Sequence, residues 1–159
     1  MNKMFCFQCQ QTAHNTGCEG NAGVCGKKCW CTGTANAQDA LTNALIGLAR
    51  AVNKKTPSEQ SDRLVLKGLF TTITNVNFHE DNVRKLTQEI QAERNAIDAS
   101  AEEYDIRNIW ENHEDIRSLK SLILFGLRGM AAYAYHAYAL DYVDRNVLDF
   151  FYEGLESLG

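Results

Sequence analysis

The sequence contains a single proline, Pro57, and no segment that alternates polar and apolar residues as a β-strand does. From about residue 35 onward, apolar residues instead recur at spacings of three and four, the period of an amphipathic helix. We therefore predict an all-α fold, with the helical bundle domain at residues 35–159. A chain of 159 residues is long enough for these helices to bury a hydrophobic core.

The sequence also lacks an excess of positive charge. Its formal net charge is -4, and Lys27–Lys28 and Lys54–Lys55 are isolated pairs rather than parts of a basic stripe. Binding to a nucleic acid requires a clustered positive face that contacts phosphates. We therefore expect no nucleic-acid partner.

Long uninterrupted apolar runs are absent as well. The first residues contain no apolar segment of signal-peptide length, so we expect no export. The longest apolar region, residues 121–140, is interrupted by Arg128 and His136, which indicates a buried helix rather than a membrane span. We accordingly predict a cytoplasmic protein without a membrane partner.

Cysteine is absent after Cys31, so the first 31 residues contain all of the cysteines. The same segment is rich in glycine and has no helical period, and we interpret residues 1–34 as a cysteine-rich loop. In a reducing cytosol, clustered cysteines are more often metal ligands than disulfides. The six thiols are those of Cys6, Cys9, Cys18, Cys25, Cys29 and Cys31.

The helix boundaries follow from capping patterns. The first helix is predicted from about Asn36 to Asn53. The second is predicted to begin with Thr56 as N-cap, Pro57 in the first turn and Glu59 completing a capping box. It should end near Asn77, which can cap a third helix.

Two further helices are predicted after a weakly patterned connection. A long helix should begin after Asn112, and the last element should extend from Asp144 to Leu158. The predicted buried face of the long helix consists of Ile116, Leu119, Ile123, Leu127, Met130 and Ala134. A set of tyrosines indicates either a docking face or the edge of the core: Tyr133, Tyr135, Tyr138, Tyr142 and Tyr152.

Three kinds of site are compatible with the cysteine spacing. Structural zinc usually uses two short chelate pairs, of which only Cys6 and Cys9 form one here. A disulfide framework suits small secreted domains without a helical core. An iron–sulfur cluster needs four thiolates, and the loop supplies them within twenty residues, at Cys6, Cys9, Cys18 and Cys25.

The segments FCFQCQQTAHNTGC and GVCGK resemble the amino-terminal cluster motif of the hybrid-cluster proteins, also called prismane proteins or hydroxylamine reductases. The resemblance continues through DRLVLKGLFTTITNVNF and EDIRSLKSLILFGLRGMAAYAYHAYAL, and so covers nearly all of the chain. It implies a first domain of two packed three-helix bundles. At the edge of this domain, the motif would bind a 4Fe-4S cluster, or a 2Fe-2S cluster in a subgroup with a wider middle spacing.

The resemblance implies Cys6, Cys9, Cys18 and Cys25 as cluster ligands, and the eight-residue middle spacing favours the 4Fe-4S form. The segment containing Cys29 and Cys31, KCWC, departs from the family pattern, and these two residues are candidates for additional ligands. The family reduces hydroxylamine at a second, hybrid cluster held by later domains. No cysteine after Cys31 is present to build that cluster, so we assign no catalytic residue.

Three hypotheses follow for the function. The first is an iron–sulfur electron-transfer domain of a hybrid-cluster protein, which would need a redox partner, either a reductase or a ferredoxin-like protein. The second is a part of an active hydroxylamine or nitrogen-oxide reductase whose hybrid cluster comes from missing domains or a partner. The third is a zinc-stapled helical interaction module. Whether the chain alone is an enzyme, and whether it self-associates, are left open by the sequence.

Overall fold

The computed structural model describes residues 4–6, 14, 16–26, 32–53, 55–73 and 79–159, without the side chains of residue 4 and residues 32–36. Within these ranges the chain forms six helices and one small two-stranded sheet. The elements are β1 (Met4–Cys6), β2 (Cys18–Gly20), α1 (Thr32–Val52), α2 (Glu59–Thr71), α3 (Glu80–Ile97), α4 (Arg107–Trp110), α5 (Glu114–Ala139) and α6 (Arg145–Leu158). The predicted all-α class is confirmed.

A single hydrophobic core joins the helices. Helix α1 packs against α2, α3 and α6, while α5 packs against α2 and α6, and α2 also contacts α3. The inward face of α1 includes Leu41, Leu45 and Leu48, which are fully buried. Helices α1, α2 and α3 are therefore one group in mutual contact, and α5 and α6 extend the same core.

The predicted absence of strands is wrong for the cysteine-rich segment. Strands β1 and β2 pair antiparallel, with Met4 opposite Gly20 and Cys6 opposite Cys18. Each strand has only three residues. An alternating pattern needs a run of at least about four residues to be recognised, which explains why the sequence did not indicate the sheet.

The predicted start of the second helix is also wrong, by two residues. The N-cap is Ser58, whose Oγ accepts a hydrogen bond from the Ser61 backbone N–H at 3.0 Å. The hydroxyls of Ser58 and Ser61 both donate to Glu93 Oε1 on α3, each at 2.7 Å. This tertiary contact favours Ser58 over Thr56 as the cap. The predicted end near Asn77 lies outside the described residues, and α2 ends at Thr71.

The start of α1 also differs from the prediction, whereas the starts of α5 and α6 agree with it. Helix α1 begins at Thr32, four residues before the predicted start. Helix α5 follows Asn112 as predicted, with His113 as its N-cap. Asp144 caps α6 by accepting a hydrogen bond from the Asn146 backbone N–H at 2.8 Å.

The predicted buried face of α5 is wrong for most of its members. The buried residues of this helix include Leu124, Leu127 and Ala131, of which only Leu127 was predicted. Among the residues predicted to be buried, four are exposed: Ile116, Leu119, Ile123 and Met130. Helix α5 therefore has apolar residues on two faces, and the helices described in the structure use one of them.

The tyrosines divide between surface and core. Tyr133 and Tyr142 are exposed, whereas Tyr152 is buried and its hydroxyl donates to Asp62 Oδ1 at 2.9 Å. Burial, and next the negative charge of Asp62, raise the pKa of the Tyr152 hydroxyl, so it remains a hydrogen-bond donor at ordinary pH. Tyr152 is thus part of the core and not of a docking face.

Asp62 links α2 to α6. Its carboxylate is largely buried and accepts hydrogen bonds from Arg145 Nη1 at 2.8 Å and Arg145 Nη2 at 3.2 Å, in addition to the one from Tyr152. Hydrogen bonds to a charged group are stronger than those between neutral groups.

None of the helices in the described part of the chain is long and apolar enough to cross a membrane.

We predict that Asp62→Asn lowers the free energy of unfolding by about 2 kcal/mol, because it weakens the acceptor for the buried Tyr152 hydroxyl and for the Arg145 guanidinium. The matched control is Asp149→Asn, which removes the exposed carboxylate that also contacts Arg145, at 2.7 Å. That change should cost less than about 1 kcal/mol because the pair is exposed to solvent. Chemical denaturation, monitored by circular dichroism, measures the free energy of unfolding of both variants. Equal losses of stability would contradict the stronger role assigned to Asp62.

Candidate metal centre

Pairing of β1 and β2 places two of the predicted ligands opposite each other. Cys6 and Cys18 are register partners in the antiparallel ribbon. Side chains of directly opposed residues point to the same face of a sheet, with Cβ atoms about 4.5–5.5 Å apart. The ribbon therefore presents these two thiols side by side, and β1 contacts α1, which connects the ribbon to the helical domain.

A third predicted ligand, Cys25, lies near Cys18, beside Gly23. A Cβ atom built on Gly23 would lie 3.6 Å from Cys25 Sγ and 3.7 Å from Cys18 Sγ. Both sulfurs therefore border the space that a side chain at position 23 would occupy. The two thiols therefore lie near each other, beside a residue that has no side chain.

The position of Cys25 is set by a tight turn. The Gly26 backbone N–H donates to the Gly23 carbonyl oxygen at 2.9 Å, which closes a four-residue turn around Val24 and Cys25. Gly26 has a φ of +86°, a conformation that residues with a Cβ rarely adopt. The turn thus depends on glycine at position 26 and holds Cys25 near Cys18.

The position of Cys18 depends on Gly17. This glycine has a φ of +112°, and a Cβ there would lie 2.6 Å from the ring of Phe5. Phe5 and Gly17 immediately precede the paired residues Cys6 and Cys18. Glycine is favoured at position 17 by its positive φ, and a Cβ there would also displace the Phe5 ring.

The thiols differ in their exposure. Cys18 is buried, whereas Cys6 and Cys25 are half-buried. The described histidine of the loop, His14, is exposed and has a φ of +52°. Two of the candidate ligands are therefore partly exposed to solvent, while the third is buried.

The structure brings together only part of the predicted ligand set. Cys6, Cys18 and Cys25 are described, whereas Cys9, Cys29 and Cys31 lie outside the described residues. Among the side chains that the structure describes, no group of three histidine, cysteine, aspartate or glutamate residues is arranged closely enough to hold a metal ion. The site thus contains paired thiols, and the predicted four-thiol set stays a prediction.

Sequence reasoning did not identify the steric role of Gly17 and Gly23. In the structure, Gly17 makes room for Phe5, and Gly23 lies beside two thiols without a side chain of its own. The only signal in the sequence is that each glycine lies within two residues of a cysteine.

Comparison with known proteins extends the likeness over the whole chain. The Prismane/CO dehydrogenase family matches residues 4–159. A hydroxylamine reductase of Caldanaerobacter subterraneus subsp. tengcongensis is 37% identical over 185 aligned residues, which cover 96% of this chain and 33% of that protein. The hydroxylamine reductase of Desulfitobacterium hafniense is 37% identical over 183 residues, with the same two coverages.

A third relative gives the same result. The hydroxylamine reductase of Porphyromonas gingivalis is 38% identical over 175 residues, covering 91% of this chain and 31% of that protein. The chain thus spans about a third of the length of the curated relatives it matches. A match over almost all of its residues, together with these identities, shows that the chain belongs to the Prismane/CO dehydrogenase family.

Proposed function

We propose that the chain is an iron–sulfur electron-transfer domain in which Cys6, Cys9, Cys18 and Cys25 hold a 4Fe-4S cluster. The observation that carries this proposal is that Cys18 lies near two other thiols of the set, one in each of two pairs. Cys6 lies opposite Cys18 in the ribbon, and the sulfurs of Cys18 and Cys25 both lie beside Gly23. Cys9 belongs to the same loop and would complete the set.

Four cysteine thiols are a suitable ligand set for a 4Fe-4S cluster. Clusters of this kind are held by four cysteine thiolates, and when bound they accept and release a single electron. In this chain the thiolates would anchor the irons, and the turn closed by Gly26 would keep Cys25 in place. The resemblance of the loop to the hybrid-cluster motif supports iron over zinc.

Exposure supports a role in electron transfer between proteins. Cys6 and Cys25 are half-buried, so a group bound to them would lie close to the surface of the loop. A redox partner, either a reductase or a ferredoxin-like protein, could then approach it. The helical domain would fix the loop through the contact between β1 and α1.

We predict that Cys9→Ser abolishes assembly of the cluster, because it removes one of the four thiolates. Cys29→Ser and Cys31→Ser are the matched controls and should retain it. The measurement is iron and sulfide per chain after anaerobic reconstitution, together with the paramagnetic signal of the reduced protein. Loss of the cluster in either control would show that the KCWC segment supplies a ligand, and a colourless protein with stoichiometric zinc would favour the zinc module.

We predict that Gly23→Val reduces iron per chain at least about tenfold, because its methyl groups would fill the space bordered by the Cys18 and Cys25 sulfurs. The matched control is Ala22→Val, which adds a similar volume at an exposed neighbouring position. Iron analysis and visible absorption measure the effect. Full iron content in Gly23→Val would show that the bound group does not occupy this space.

A second candidate function is a part of a hydroxylamine or nitrogen-oxide reductase. It is supported by the names of the relatives and by the fact that the chain spans about a third of their length. The chain has no cysteine after Cys31, so a hybrid catalytic cluster would need ligands from other domains or from a partner.

We therefore predict that the purified chain, loaded with iron and sulfide and supplied with an artificial electron donor, does not reduce hydroxylamine. Ammonia release measures this activity, and a full-length relative serves as the positive control. Turnover by the isolated chain would contradict the proposal that it only transfers electrons.

A further inference from the structure

Two thiols of the loop are positioned to react with each other. Cys6 and Cys18 carry thiols that are not in disulfides, and they are register partners in the ribbon of β1 and β2. Directly opposed residues of an antiparallel pair have Cα atoms about 4.5 or 5.5 Å apart, depending on the hydrogen bonding of the pair. Disulfides join cysteines whose Cα atoms are usually about 4.4–6.8 Å apart. The ribbon therefore brings the two backbones within disulfide range.

The side chains of this pair also point to the same side. Successive side chains of a strand alternate between the two faces of the sheet, and opposed residues share a face, with Cβ atoms about 4.5–5.5 Å apart. A disulfide needs Cβ atoms about 3.5–4.5 Å apart, so a shift of about 1 Å brings the pair to bonding distance. A disulfide between Cys6 and Cys18 thus requires no change of strand register.

The two thiols differ in their access to solvent. Cys6 is half-buried, whereas Cys18 is only 6% exposed. A dissolved oxidant therefore reaches the Cys6 sulfur more easily than the Cys18 sulfur. Oxidation of a thiol follows its exposure, and a second cysteine placed beside it can resolve the oxidised sulfur as a disulfide. Cys6 has the position of the thiol that is attacked, and Cys18 has that of the resolving thiol.

Cys25 is less well placed as the partner of Cys18. The sulfurs of Cys25 and Cys18 lie 3.6 and 3.7 Å from the position of a Cβ built on Gly23. Proximity to one point does not bring two sulfurs to the ~2.05 Å of a disulfide bond. Cys25 is also held in its own turn by the hydrogen bond from the Gly26 N–H to the Gly23 carbonyl oxygen. Cys6, by contrast, is held directly opposite Cys18.

The contacts that oppose Cys6 and Cys18 are all between protein atoms. Strand β1 pairs with β2 through the backbone, and β1 also contacts α1 of the helical core. The pair therefore stays available for reaction whether or not the other cysteines of the loop are engaged.

From these observations we propose that Cys6 and Cys18 form a reversible disulfide when the chain without a bound cluster meets a low-molecular-weight disulfide. The Cys6 thiolate attacks one sulfur of this oxidant, RSSR, so that a mixed disulfide with Cys6 forms and one RS⁻ leaves. The Cys18 thiolate then attacks the Cys6 sulfur and displaces the second RS⁻. The two cysteines lose two electrons and two protons in total, and one RSSR becomes two RSH.

The disulfide removes two thiols from the proposed ligand set of Cys6, Cys9, Cys18 and Cys25. This consequence rests on the proposed function, whereas formation of the disulfide does not. An excess of a small thiol reverses the reaction and restores both ligands. Sulfinic and sulfonic acids, which form when a thiol is oxidised further, are not restored in this way. The disulfide thus keeps two ligands in a recoverable form.

The first test maps the disulfide in the complete 159-residue chain, purified anaerobically and freed of iron. The oxidant is one equivalent of glutathione disulfide. The remaining thiols are alkylated with iodoacetamide, the chain is reduced, and the released thiols are labelled with N-ethylmaleimide. Tandem mass spectrometry of the tryptic peptide of residues 4–27, which contains four of the cysteines, should find the maleimide on Cys6 and Cys18.

Two outcomes of this map would overturn the proposal. One is a chain that forms no intrachain disulfide. The other is maleimide on a different pair, such as Cys6 with Cys9 or Cys18 with Cys25.

The second test uses serine variants of the two thiols that lie near Cys18. Cys6→Ser should lower the yield of disulfide at Cys18 at least about tenfold, because it removes the opposed thiol. Cys25→Ser is the matched control, since it removes the other half-buried thiol near Cys18, and it should retain the disulfide in full. A loss in Cys25→Ser as large as that in Cys6→Ser would overturn the assignment of Cys6 as the partner.

The third test addresses the order of attack. In Cys18→Ser, glutathione should remain on Cys6 as a mixed disulfide, and release of the second glutathione should slow at least about tenfold. Release at the rate of the unaltered chain would assign the resolving step to another cysteine and overturn the proposal.

Iron uptake after reduction separates this proposal from the proposed function. A chain that maps to another pair, and yet takes up iron and sulfide once reduced, contradicts only the disulfide. A chain that forms the disulfide between Cys6 and Cys18, and yet takes up no iron once reduced, contradicts only the cluster.

Discussion

The packing of apolar side chains around α1 is the interaction on which the other features of this structure depend. The helix is buried along most of its length, and it contacts α2, α3 and α6. It also contacts β1, the first strand of the cysteine ribbon. The same helix thus organises the hydrophobic core and supports the candidate metal centre. Disruption of its packing would therefore disturb both regions.

Much of this core could be predicted from the sequence, because α1 has one clear apolar face with a helical period. Helices α2 and α3 likewise bury the face on which apolar residues recur, as shown by buried Leu66, Leu69 and Ile90. Helix α5 differs, because its sequence has apolar residues on two faces and periodicity cannot determine which of them faces the core. The cap of α2 was missed for a related reason, because Ser58 and Ser61 are selected by Glu93, a residue distant in the sequence.

The sequence predicts a composition for the candidate metal centre but not its geometry. Spacing and resemblance predict four cysteine ligands, since a loop with several thiols and glycines favours a shared metal. They did not predict the three-residue strands that place Cys6 opposite Cys18, because such short strands leave no pattern. Nor did they predict the space beside Gly23, which arises from the turn closed by Gly26.

The contact between Gly17 and Phe5 has a consequence for strand register. In a β-ribbon, a slip of one residue turns every side chain of the slipped strand to the opposite face. Such a slip would direct the Cys6 and Cys18 thiols to opposite sides of the ribbon and prevent them from sharing a bound group. Because the Phe5 ring fits only beside a residue without a Cβ, its contact with Gly17 favours one alignment of the strands. A small steric fit outside the ligand set therefore determines whether the thiols can act together.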